Sequence, residues 1–216
     1  MPNHCSNGLI VLGEPNEVRD FVAKCRNPKY TGVVSEDRDA SVEFRIYQNH
    51  YPCPEELYEV KADFTKKPDM IEKYGASDWY DWCNTYWGTK WGDYDTDLNN
   101  DGDGFAVFSF TTAWGPGADG LARISRDNPS LVFVNTYDEP GMGFFGTYVV
   151  SEGEIITDLE GEHSTPEGID YDDPDQLDRM WETHAEEVAA TENEAIELLA
   201  ERWRDLAKVA LKRVSV

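Results

Sequence analysis

The spacing of apolar residues changes period along the chain, and each change predicts an element. The stretch "NGLIVLGE" (7–14) is a short apolar run bounded by glycines, which predicts a largely buried first strand. Val18, Phe21, Val22 and Cys25 then recur at i, i+3, i+4 and i+7, one face of a helix, with Pro15 suited to its first turn. In "SVEFRIYQ" the period returns to two: Val42, Phe44 and Ile46 alternate with Glu43, Arg45 and Tyr47, which predicts a half-buried strand. Pro52 and Pro54 break the next segment into a turn that enters a short helix. Trp79, Trp82, Cys83 and Tyr86 restore the helical period behind Ser77, a capping residue, and Gly88 stands where a left-handed residue would end that helix.

Two dense apolar segments follow, "GFAVFSFTTAW" (104–114) and "SLVFVNTY" (130–137), each expected as a strand. Between them a short helix is expected, with Leu121 and Ile124 turned inward. "FFGTYVVSEGEIITDL" reads as two strands joined by a tight turn at Glu152–Gly153. Composition then shifts to acids with few apolar residues, the mark of an exposed linker. Asp173, Pro174 and Gln176 supply an N-cap, a first-turn proline and a capping partner for a long helix. Its apolar stripe is Met180, Trp181, His184, Val188, Ala195, Leu199, Trp203, Leu206 and Ala210. Acids crowd its early half, and Arg202, Arg204, Lys208, Lys212 and Arg213 its late half, an order that suits the helix dipole. The stripe must be buried against the chain's own sheet or against a partner chain. The division expected is an α+β domain over 1–157, an acidic linker over 158–173 and an amphipathic helix over 174–213. Without regular long crossovers, the class expected is α+β: an antiparallel sheet with helices packed on one face, plus the long C-terminal helix.

Charge narrows the partners. Among 216 residues, 43 acids against 19 Lys and Arg give a formal net charge of -24, which repels nucleic-acid phosphates and anionic membranes. No window of about 18 apolar residues predicts a membrane span. The opening "MPNHCSNGLIVLG" lacks the basic segment of a signal peptide, so a soluble cytoplasmic protein is expected. Cys5, Cys25, Cys53 and Cys83 are scattered without a CxxC pair and read as free thiols. The nearest approach to zinc-ligand spacing is His50 with Cys53, which leaves two ligands to come from elsewhere.

"DLNNDGDG" (97–104) opens like a calcium loop. Asp97, Asn99 and Asp101 take positions 1, 3 and 5, Gly102 the sixth and Asp103 the seventh, but the twelfth is Phe108 in place of a bidentate Glu. Asp-Gly occurs twice there and suits a tight hairpin turn. The expectation is a turn and no resident cofactor, with calcium at Asp97, Asn99, Asp101 and Asp103 left open. Of the tryptophans, Trp79 and Trp82 are expected in the core. Trp87, Gly88, Thr89, Lys90 and Trp91, with Trp114, are the candidates for a ligand cleft or an interface, and Lys90 for an ion pair with Asp93 or an anion contact. "GTK" is not a phosphate loop, since no glycine stands at the required upstream position and no Ser or Thr follows the Lys. GxSxG and HExxH are absent, and His4, His50, His163 and His184 follow no known spacing. No catalytic residue is assigned, and the reading leans away from an enzyme.

"MPNHCSNGLIVLG", "PCPEEL", "WGTKW" (87–91), "FTTAWGPG" and "PSLVFVNTYDEPGMGFFGTY" occur in an order and spacing that resemble the YubB-type ferredoxin-like family of phage and plasmid proteins. His4 stands where that family commonly has Trp, and Gly115–Pro116 replace its Ser-Pro-Pro. The resemblance covers roughly residues 1–150. It implies a ferredoxin-like sheet and a mobile-element origin in a bacterial host. It implies no reaction and no iron–sulfur cluster, since the closely spaced cysteines are missing. The function expected is that of an accessory, non-enzymatic acidic module that binds a host or defence protein. Residues 151–216 hold nineteen acids against six Lys and Arg, suited to masking a basic nucleic-acid-binding surface. The alternative is a small-ligand binder or enzyme using the aromatic cleft, and the C-terminal helix is a candidate for self-association.

Overall fold

The computed structural model describes residues 3–26, 44–63, 65–164, 166 and 168–214. The chain opens with strand β1 (His4–Leu12) and helix α1 (Pro15–Cys25). Four short helices follow: α2 (Tyr47–His50), α3 (Glu55–Glu59), α4 (Pro68–Tyr74) and α5 (Trp79–Tyr86). Then come β2 (Tyr94–Gly102), β3 (Phe105–Ala113), α6 (Ala118–Asp127), β4 (Val132–Glu139), β5 (Phe144–Ser151) and β6 (Glu154–Glu162). Helices α7 (Pro174–Glu197) and α8 (Glu201–Val214) close the chain.

The sheet runs β2-β3-β1-β4-β5-β6, with every neighbouring pair antiparallel. Its first four strands, with α1 and α6 as connections, make the split βαβ arrangement of a ferredoxin-like sheet. The β5–β6 hairpin extends it on the β4 side, around a turn in which both Glu152 (φ 54) and Gly153 (φ 88) are left-handed, as a two-residue hairpin loop requires.

Strand β1 is apolar on both sides because both faces of the sheet are covered. Leu9 and Val11 face α1 and α6, among Phe21, Phe108, Leu121 and Phe133. Ile10 and Leu12 face the opposite way, among Val134, Val149, Ala195 and Ala207. The helices before β5 share one face, and the C-terminal segment docks its stripe on the other face of its own sheet.

Three local expectations need revision. Residues 41–43 of the expected strand over 41–48 lie outside the described residues. The rest of that segment makes a single bridge, Phe44 with Arg26, and then turns into α2. The cause is remote in sequence: the buried Asp93 carboxylate accepts from the backbone N–H of Ile46 (2.8 Å) and Tyr47 (2.7 Å), and from the Thr96 hydroxyl (2.6 Å). It thereby satisfies N–H groups that a helix start leaves unpaired.

The acids expected in a linker from residue 158 begin instead in an edge strand. Asp158, Glu160 and Glu162 are exposed and alternate with Thr157, Leu159 and Gly161, so only 163–173 forms the connection. The single helix expected over 174–213 is broken after Glu197. A straight helix of that length would run about 60 Å, far beyond a six-stranded sheet about 24 Å across. Its two pieces divide the surface, α7 over β4, β5 and β6, and α8 over β1, β2 and β3. Among the described residues, no helix is long and apolar enough to cross a membrane.

Candidate functional site

The aromatic candidates do not gather into one cleft. Trp87 is wholly buried (0% exposed): its ring meets Trp82 and Tyr47 edge-on, and its Nε1–H donates to the Tyr51 carbonyl at 2.9 Å. The Thr89 hydroxyl donates to the Ala113 carbonyl (2.8 Å) and accepts from the Ala113 N–H (3.1 Å). Gly88, with φ 70, makes the left-handed exit from α5. "WGTKW" is thus a joint that ties α5 to α6 and to the end of β3. Gly120 belongs to the same joint, since a Cβ there would run into the Tyr47 ring. Lys90 lies over the rings of Trp91 (4.3 Å) and Tyr80 (5.9 Å), while the Asp93 carboxylate is committed to the start of α2. Lys90 lines a cavity of about 740 Å³ with Trp79, Tyr80 and Asp81. Trp87 and Trp114 do not line that cavity, and Trp114 is half exposed on the surface.

Asp97, Asn99 and Asp101 lie exposed along β2, and Asp103 occupies the turn before β3. Extended backbone carries the first and third of these about 13 Å apart, so they do not wrap a common point. Gly104, with φ 90, supplies the left-handed residue of the turn.

The cluster that does converge lies elsewhere. Asp138 comes from the end of β4, His163 directly follows β6, and His184 comes from the third turn of α7. His163 Nε2 donates to Asp138 Oδ1 at 2.8 Å and His184 Nε2 to Asp138 Oδ2 at 3.1 Å. The two imidazoles stack with ring centroids 3.6 Å apart. The Phe145 ring stands edge-on to both, and Trp181 flanks them. The His163 backbone N–H donates to the Gly143 carbonyl (2.8 Å), which fixes the start of the connection beside the β4–β5 turn. Both histidines line a cavity of about 730 Å³ whose walls include Met142, Tyr171, Arg179, Trp181 and Glu187.

One signal for this cluster was present in the sequence: His184 stands in the apolar stripe of the last long helix, so it had to face the sheet. Along β4, Val132, Val134, Thr136 and Asp138 share the face under α7, so the polar end of that row meets His184. Between the cluster and the apolar end runs a polar ladder. The Thr136 and Thr147 hydroxyls are 3.0 Å apart, those of Thr147 and Thr191 2.9 Å apart, and Thr136 donates to Glu192 Oε1 at 3.1 Å. Burial holds the Glu192 carboxyl above the usual range, against the Thr136 hydrogen bond.

A buried Cys25–His50 pair (Sγ to Nε2, 3.4 Å) has the outline of a nucleophile and its base but the opposite electrostatics. Burial, followed by the charge of Lys24, lowers His50 to about 3. Burial, followed by the charge of Asp93, pushes the Cys25 thiol well up. An activated cysteine needs a depressed pKa and access, and this thiol has neither.

Residues 87–188, which contain Asp138, His163 and His184, match a family model described as a ferredoxin-like domain in Api92-like protein. Among solved structures, a crystal structure of protein api92 from Yersinia pseudotuberculosis superposes with a TM-score of 0.43 at 14% identity, covering 77% of this chain and 99% of that chain. Comparison with curated proteins found no match.

Proposed function

We propose that the chain is a non-enzymatic protein-binding module, carried by a phage or plasmid, that engages a basic segment of a host or defence protein in the bacterial cytoplasm. The observation that carries the reading is a set of large apolar side chains exposed inside an acidic field. Tyr171 (64% exposed), Met142 (65%) and Trp181 (49%) border the 730 Å³ cavity. In sequence, residues 152–197 hold seventeen acids against one Lys or Arg, Arg179. Asp172, Asp175, Asp178, Glu182 and Glu186 are exposed beside these aromatics. Aromatic anchors with a charged rim are the anatomy of a binding hot spot, and a Lys or Arg side chain would gain both ring faces and carboxylates there.

The test is affinity capture from host lysate with the full chain and with a Tyr171→Ala/Trp181→Ala variant, washed across a salt series. A basic partner retained by the wild type, released by moderate salt and lost by the variant supports the reading. Capture that ignores salt, or that the variant matches, overturns it.

The cavity holding Lys90, Trp79 and Tyr80 favours a second reading, a site for a small anionic aromatic ligand. Lys90→Ala would abolish such binding without unfolding the chain, because Lys90 lies outside the buried core.

A further inference from the structure

We propose that His163, His184 and Asp138 form a binding site for a divalent transition-metal ion of the zinc, cobalt or ferrous class. The three residues come from the end of a central strand, the exit of an edge strand and a long helix, so only the folded sheet brings them together. A donor atom from each lies within 4.8 Å of one from each of the others. Ligands at 2.0–2.1 Å around a tetrahedral ion sit about 3.3 Å from one another. The observed nitrogen-to-carboxylate separations of 2.8 and 3.1 Å are already close to that edge. Small side-chain rotations complete the set and leave the backbone unmoved.

The His184 ring meets Asp138 through Nε2. The His184 side chain is buried, and its Nδ1 has no hydrogen-bond partner among the described residues. The nitrogen that faces Asp138, Nε2, is the ligand atom of the proposed set, and Nδ1 lies outside it. Two imidazole nitrogens with one carboxylate oxygen suit zinc and ferrous iron, and calcium and magnesium prefer all-oxygen shells. Three protein ligands leave at least one coordination position. Both histidines line the 730 Å³ cavity, so that position opens towards water or an oxygen or nitrogen atom of a bound molecule. The Phe145 ring stands edge-on to both imidazoles and is not part of the cavity wall.

The site differs in kind from the acidic face around it. Exposed carboxylates attract any cation weakly and lose it to salt, whereas a His-His-Asp set selects by ligand chemistry. It is also separate from the four cysteines, all buried and none of them in the cluster.

The experiment is calorimetric titration of the full, reduced, metal-free chain with zinc chloride at moderate salt, beside cobalt substitution followed by visible absorption. The expected result is one ion per chain, with cobalt bands of low coordination number and no thiolate charge-transfer band. His184→Ala is expected to weaken zinc by at least about 100-fold, the upper end of what loss of a supporting residue costs. Asp138→Asn keeps the shape and one accepting oxygen but removes the charge and turns the second position into a donor, so it tests the carboxylate ligand if His184→Ala fails to fold. Circular dichroism of each variant separates lost ligation from lost structure. Zinc binding that a folded His163→Ala/Asp138→Asn chain matches, a thiolate band, or no saturable binding by the wild type overturns the proposal. Because no partner protein enters the titration, these outcomes are independent of the protein-binding reading.

Discussion

The face of the sheet under α1, α5 and α6 is built from rings, and the face under α7 and α8 from aliphatic residues and alanines. On the first, Phe21, Phe44, Tyr47, Trp82, Trp87, Phe108, Phe110 and Phe133 are buried together. On the second, Ile10, Leu12, Val134 and Val149 meet Ala195, Ile196, Ala207 and Ala210, and towards β5 and β6 the packing gives way to Thr136, Thr147, Asp138 and His184. Large rings interlock at fixed angles, so the first cover tolerates little change. Alanines let the second pair of helices lie close while contributing little burial of their own. The difference divides the labour: the ring face holds the fold, and the looser, partly polar face is free to carry a site.

Substitutions can break that comparison. Trp87→Ala removes the largest fully buried side chain together with the Nε1 bond to Tyr51, and about 3–5 kcal/mol of stability should go with it in urea unfolding. Ile196→Ala on the opposite face should cost about 2–3 kcal/mol, the low end for such a truncation, because a helix seated on alanines can settle into the space. Equal losses would show that the two covers contribute alike.

A third prediction concerns acid. His50 is stacked on Phe21 at 4.1 Å and held neutral to about 3, so below its unfolded value of about 6.5 the unfolded chain binds one more proton than the folded one. Stability contributed at this position is therefore complete above pH 6.5 and is lost as pH falls towards 3, by at most about 1.4 kcal/mol per pH unit. In His50→Gln the acid-side slope should be shallower by up to one proton, and an unchanged slope would refute the assignment. The smallest effect is expected from Thr191→Val, which removes one rung of the polar ladder and leaves the Thr136–Thr147 pair, at about 1 kcal/mol or less.

How far the sequence could be read depended on whether the cause of a feature was local. The hairpin turns at Asp103–Gly104 and Glu152–Gly153 and the cap of α7, where Asp173 accepts from the N–H groups of Asp175 and Gln176, were all legible, because each is set by neighbours in sequence. The period-2 pattern around Phe44 misled, because an Asp more than forty residues away supplies the hydrogen bonds that make a helical turn there. Trp87 looked like a ligand contact because composition cannot tell a buried indole from an exposed one. Of the Asp138–His163–His184 cluster only the inward turn of His184 was legible, for a related reason. Its members share no spacing, and they meet only because α7 crosses the ends of β4 and β6. The break after Glu197 followed from the width of the sheet, a quantity that no window of sequence contains.

The place of β1 also sets a timetable for synthesis. β1, which precedes the other described strands, lies inside the sheet, and its partners are residues 105–113 and 132–138. A ribosome adding about 5–20 residues per second needs roughly 6–25 s to deliver the second of them. Until residue 113 is made the "LIVL" segment has neither hydrogen-bonding neighbour, and until residue 138 it still lacks one of the two. The growing chain therefore depends on whatever shields that one segment until β4 emerges.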